Sequence, residues 1–114
     1  VLNRGRVGDR QVLPADIFDE LFAGGDQAAF AEAGYDTLPD WSYRSQWWVR
    51  HTDGRICLQA RGAYGQVLYI DPVNDLVIAR FGSAKEAPSY LLDHIMLPTI
   101  DAITEYVVKE RSAS

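Results

Sequence analysis

The chain has 114 residues, 47% of them apolar and 24% charged, with a net charge of −5. That composition belongs to a folded domain rather than a disordered segment. The acidic balance disfavours binding to a phosphate backbone, which needs clustered Lys and Arg, so nucleic acid is not an expected partner. There is no run of about 18 apolar residues such as a membrane-spanning helix requires, so no membrane partner is expected. The one cysteine, Cys57, leaves no internal disulfide and cannot by itself form a structural zinc site. No cofactor or metal is expected.

In chain order, Val1 to Pro14 reads as the end of a helix, with Asn3-Arg4-Gly5 as its exit, and then a glycine-containing turn. Asp16 is a plausible N-cap for a short helix from Ile17 to Phe22, stopped by Gly24-Gly25. Residues 24–42 form an irregular loop with a turn of helix at Gln27 to Ala33. Strands occupy residues 43–83. Tyr43, Ser45, Trp47, Val49 and His51 alternate onto one face of a first strand; Arg44, Gln46, Trp48 and Arg50 take the other. Asp53-Gly54 is a strong hairpin signal. A strand from Arg55 to Ala63 follows, then a hairpin of Gln66 to Asp71 and Leu76 to Phe81, with Pro72 fixing φ in its loop. The expected architecture is α+β: an antiparallel sheet of three to four strands, with a C-terminal helix over residues 88–110 packed on one face. Ser89 is its candidate N-cap, and the stripe Leu92, Ile95, Met96, Thr99, Ile103 and Val107 its apolar face. Pro98 should kink or interrupt it, and Arg111 to Ser114 should fray.

Leu68, Ile70, Val77 and Ala79 lie on the face opposite Val67, Tyr69, Leu76 and Ile78, so the strands are apolar on both sides and need cover on both. One long helix covers one face. A missing N-terminal part of the same domain, or a second copy in a homodimer, is expected to cover the other.

The run Gly62-Ala63-Tyr64-Gly65-Gln66, the turn Asp71-Pro72-Val73-Asn74-Asp75, the following strand and the amphipathic tail occur in an order that resembles the C-terminal part of serine hydrolases with the β-lactamase/penicillin-binding-protein fold. Tyr43-Arg44-Ser45-Gln46-Trp47-Trp48-Val49 narrows the resemblance to the branch of 6-aminohexanoate-dimer hydrolase and related esterases. The resemblance implies amide or ester hydrolysis through an acyl-serine, with the nucleophile on a Ser-x-x-Lys motif. No Ser-x-x-Lys occurs in the 114 residues. The chain is therefore expected to be the C-terminal portion of such an enzyme, inactive alone. Ala60-Arg61-Gly62 falls where the resemblance puts the pocket-edge motif. This assigns the backbone N–H of Ala63 to the oxyanion hole and Arg61, Gly62, Tyr64 and Gly65 to the substrate side. No lysine stands at position 60 or 61, so the β-lactam-binding pattern is not reproduced.

Other readings stand beside these. Tyr64 lines the pocket or covers a glycine-rich backbone. Trp47 and Trp48 frame a cleft, or pack into the core on one side and another part of the protein on the other. His51 reads as a solvated turn residue, His94 as a helix-surface residue, and Cys57 as a packed side chain without a catalytic partner. Asp71, Asn74 and Asp75 suit a cation loop but also ordinary turn chemistry. A self-contained α+β binding or structural module, or a β-lactamase-like parent, are the alternatives.

Overall fold

The computed structural model describes residues 1–113. Two tight turns set its sheet. Ser45 and Gln46 have φ of 49° and 68°, and Asp53 and Gly54 have 49° and 72°. Positive φ at both central residues matches the right-handed twist of the flanking strands, as in a type I′ hairpin. The Asp53-Gly54 turn lies where the sequence places it. The Ser45-Gln46 turn does not: the single strand expected from Tyr43 to His51 is two strands, β3 (Trp41–Arg44) and β4 (Trp47–Thr52). Neither Ser nor Gln carries the Asn/Gly signal for left-handed backbone, so alternation alone read through the turn. Tyr43 consequently faces Trp48, and Ser42 faces Val49.

Three further strands, β5 (Arg55–Gly62), β6 (Gln66–Asp71) and β7 (Leu76–Arg80), complete a five-stranded antiparallel meander in the order β3-β4-β5-β6-β7. A two-stranded ribbon, β1 (Arg6–Val7) and β2 (Arg10–Gln11), replaces the helix end expected before Pro14. Two short helices follow, α1 (Asp16–Ala23) and α2 (Gln27–Glu32). Ala15 rather than Asp16 occupies the cap position of α1, so Asp16 contributes charge to the first turn instead of a capping bond. Gly24, with φ of 76°, ends α1 as expected.

The two sheet faces are covered unequally. On one, the long helix α3 (Asp93–Ala113) packs Met96 and Ile100 against Cys57, Val67 and Tyr69. Its N-terminal approach is a 3-10 turn, Ser89–Leu92, whose cap position is Pro88 rather than Ser89. The buried face of α3 is Asp93, Met96, Ile100 and Thr104; Ile95 and Ile103 of the expected stripe are exposed. Two polar residues on the buried face each have a hydrogen-bond partner. Thr104 Oγ1 donates to the Ile100 carbonyl at 2.8 Å, and Asp93 accepts from Thr37 at 3.1 Å. Helix α3 runs through Pro98 as one element to Ala113. Arg111 donates to the carbonyls of Asn74 and Asp75 in the β6–β7 turn, which ties the expected fraying end to the sheet; Ser114 lies outside the described residues.

On the other face, Leu21 of α1 meets Val49, Leu58 and Ile70, with Leu2, Phe22 and Trp47 alongside. Burying Phe18 and Leu21 is worth roughly 1.5–3 kcal/mol per side chain, which anchors so short a helix. This cover stops before β7: Leu68, Val77 and Phe81 remain exposed on or just beyond β6 and β7.

Candidate functional site

Strand β5 ends at Gly62 and the chain turns through Ala63–Gly65 into β6. Tyr64 holds φ of 60° and ψ of 25°, a left-handed conformation uncommon outside glycine. Two backbone bonds fix the corner to residues 84–87: Tyr64 N–H donates to Ala87 O at 3.1 Å and Ala84 N–H donates to Tyr64 O at 3.0 Å. Gln66 closes it from the sheet side. Its amide donates to Gly82 O, and its Oε1 accepts from Gly82 N–H at 3.1 Å. Arg80 donates to Gly65 O. These bonds use the N–H of Tyr64 and Gly82, and Ala63 beside them is exposed. The corner is thus a fixed backbone with an exposed residue, Ala63, at its start.

The glycines have structural reasons. A Cβ at Gly62 would stand 2.8 Å from Gln66 Cβ, so the crowding there comes from the neighbouring strand. Gly65 is buried with φ of 88°, and a Cβ would run into the Arg80 guanidinium. Tyr64, half exposed, projects from the corner.

Arg61 is placed differently from Ala63 and Tyr64. Its side chain is 3% exposed and forms an ion pair with Asp93, itself 1% exposed. The guanidinium lies 4.9 Å from the Trp48 ring centroid and 6.0 Å from that of Trp41. Burial pulls its pKa down to about 10, so it remains a cation at neutral pH. It braces the sheet from within, on the face of α3. The Gln59 amide and Arg61 Nε and Nη1 are buried beside it without a hydrogen-bond partner among the described residues.

Several polar contacts escaped the sequence reading. Ser42 Oγ and His51 Nε2 are 3.1 Å apart, a nucleophile-to-base distance. Ser42 is fully buried and its oxygen accepts from Gly25 N–H at 3.0 Å, so the pair closes the β3 edge against the α1–α2 link. The signal lies in the Ser45-Gln46 turn, since only that turn brings Ser42 beside Val49 and near His51. Asp71 is enclosed: burial alone would raise its pKa, but bonds from Asn74 and Arg55 hold it below the usual carboxylate range. Arg55 Nε donates to it at 3.0 Å. No group of three or more potential metal ligands occurs among the described residues. Cys57 is buried, and burial pushes its thiol up, away from the reactive thiolate. No described helix is long and apolar enough to cross a membrane.

With this geometry established, similarity to known proteins becomes specific. No family model matches the chain. Over 84 residues, 73% of the chain, it is 30% identical to the 6-aminohexanoate-dimer hydrolase of Paenarthrobacter ureafaciens, covering 21% of that protein. A solved structure from Bacillus anthracis, assigned as a 6-aminohexanoate-dimer hydrolase, superposes on 95% of the chain with a TM-score of 0.70 at 29% identity. The chain is similar in sequence and fold to part of the 6-aminohexanoate-dimer hydrolases. It spans about a fifth of the length of the curated relative and about a quarter of the solved chain. The α+β architecture of the sheet, the long C-terminal helix and the short helices is that of part of a dimer-hydrolase relative.

Proposed function

We propose that residues 1–114 form the C-terminal portion of a serine hydrolase domain that cleaves amide or ester bonds through an acyl-serine intermediate. In this reading Ala63 presents its backbone N–H as one oxyanion donor. Gly62, Tyr64 and Gly65 shape the adjoining pocket edge, and Arg61 holds the strand beneath it. The remainder of the domain, bearing the nucleophile, is the partner that the chain requires, and the substrate is a small amide or ester. The observation that carries the proposal is the exposed, rigidly tethered corner at Ala63, on a sheet that matches dimer hydrolases in sequence and fold.

The test compares the 114-residue chain with the same chain joined to a segment bearing Ser-x-x-Lys, assayed on p-nitrophenyl esters and a linear amide dimer. The joined protein should turn over substrate and the shorter chain should not. Ala63→Pro in the joined protein removes the donor while leaving the preceding strand extended. Its kcat should fall by roughly 10²–10³, the scale of losing one oxyanion donor, with KM little changed. A folded Ala63→Pro protein with unchanged kcat would remove Ala63 from the site. Turnover by the 114-residue chain alone would defeat the reading altogether.

A further inference from the structure

Away from the Ala63 corner, α2 and the β3–β4 hairpin enclose an open hollow of about 470 Å³. Its floor is aromatic. Phe30 and Tyr35 stack with centroids 4.9 Å apart, and Trp48 stands edge-on to both, at 5.7 Å and 5.2 Å. Tyr43 meets Trp48 edge to face at 5.7 Å. Ala29 of α2 and Ala33, which caps its C-terminus, line the hollow as well, and their small side chains leave its mouth wide. Tyr35 and Tyr43 are partly open to solvent, 37% and 49% exposed.

The charges around the hollow have one sign. Asp26 lies on the rim; its Oδ1 caps α2 by accepting from Ala29 N–H at 3.0 Å. Its Oδ2 makes no hydrogen bond or ion pair with the described residues. No Lys or Arg lines the hollow. Arg61, the nearest cation on the Trp48 ring, is neutralised by Asp93 in the interior. Aromatic rings lining a hollow beside a carboxylate favour an organic cation, because the ring quadrupole is negative on its face. The net charge of −5 adds long-range attraction of the same sign.

We propose that this hollow binds an alkylammonium group, with Trp48, Tyr43 and Tyr35 contacting the cation and Asp26 Oδ2 balancing its charge. The site is separate from the Ala63 corner and does not depend on the hydrolase reading.

The experiment uses the 114-residue chain, with tryptophan fluorescence as the signal and Trp48 indole N–H shifts in NMR as the locator. The probes are choline and the neutral alcohol in which carbon replaces the choline nitrogen, at matched ionic strength. Choline should saturate and shift Trp48, and the neutral isostere should bind about tenfold more weakly, the scale of a partly desolvated cation–π contact. Asp26→Asn separates charge from structure, since Asn is an equally good N-cap. It should keep the unfolding midpoint and weaken choline several-fold. Tyr43→Leu, at a half-exposed position, should weaken choline but not the isostere. Equal binding of choline and its isostere would overturn the proposal. So would unchanged choline affinity in both folded variants, or the absence of saturation in the folded parent; each would make the hollow a packing surface.

Discussion

The guanidinium of Arg61 on β5 lies 4.9 Å from the centroid of the Trp48 ring on β4. Trp48 pairs directly with Gln59, so Arg61 reaches it diagonally, a distance that long side chains span. The contact and the ion pair to Asp93 join strand β5, strand β4 and the first turn of α3 at one buried point. Arg61→Met removes the cation and leaves Asp93 buried without its charge partner. The expected loss is about 3–5 kcal/mol, a large share of the stability of a domain this size. Replacing both residues, Arg61→Met with Asp93→Leu, should cost less than Arg61→Met alone. Urea unfolding of the parent, the two single variants and the double variant checks this; a double variant as unstable as the sum of its parts would show that the two residues act independently.

Asp71 couples stability to pH. It is fully buried, and although burial alone would raise its pKa, Asn74 and Arg55 hold it lower in the folded chain. A carboxyl with a depressed folded pKa binds its proton more tightly when unfolded. Its stabilisation is therefore complete above the unfolded value of about 3.9 and is lost as pH falls through the lower folded value. Asp71→Asn should lower stability at pH 7 by roughly 1.5–3 kcal/mol, the range for hydrogen bonds to charged groups. The variant should also be less sensitive to acid below pH 4 or so. Thermal unfolding at neutral and acid pH measures both; parallel losses in the two proteins on acidification would assign the acid sensitivity to other carboxylates.

The left-handed Tyr64 offers a stability test that is independent of catalysis. Left-handed backbone costs a non-glycine residue about 1–2 kcal/mol, and a β-branched side chain suffers most. Tyr64→Gly relieves that cost while adding freedom to the unfolded chain. Its unfolding midpoint should equal or exceed that of the parent, and Tyr64→Val should fall below both. A Val variant as stable as the parent would mean that the corner relaxes out of the left-handed conformation.

Much of the sheet was legible because its signals are local. Asp53-Gly54 marks its turn by composition, and the β6–β7 pair follows from alternation about Pro72. The Ser45-Gln46 turn was not legible, since its positive φ values are imposed by strand pairing rather than by residue preference. The buried face of α3 was hidden for a related reason. Asp93 and Thr104 occupy core positions through partners far along the chain or through backbone bonding, so an apolar stripe pointed one position away. The segment Gly62–Gly65 was singled out through the family resemblance, but the loop that tethers it, residues 82–88, carries no pattern that announces the contact. Aromatic residues of the α2 hollow lie up to 18 positions apart in the chain, Phe30 to Trp48, and only the hairpin brings them together.

The two edges of the sheet differ, and the difference predicts association. At β3 the edge is closed: Gly25 lies so near that a Cβ would strike the Tyr43 carbonyl, and Arg44 donates to Gly24 O at 3.1 Å. At β7 no strand among the described residues pairs on the outer side, and Val77 and Phe81 are 47% and 91% exposed. An open edge beside apolar side chains is a template for another strand, and in the proposed whole domain an N-terminal strand takes that place. In the 114-residue chain a second copy can do so, and a two-fold pairing satisfies both edges at once. Analytical ultracentrifugation over a dilution series should show a concentration-dependent dimer that binds a hydrophobic dye on dissociation. Val77→Lys with Phe81→Lys should shift the equilibrium to monomer, because charge on an edge strand opposes pairing, while leaving the α3 side of the core folded. A parent chain that stays monomeric across the series and binds no dye would show that the β7 edge is protected by its own short length and twist, and would favour a self-contained module over a partial domain.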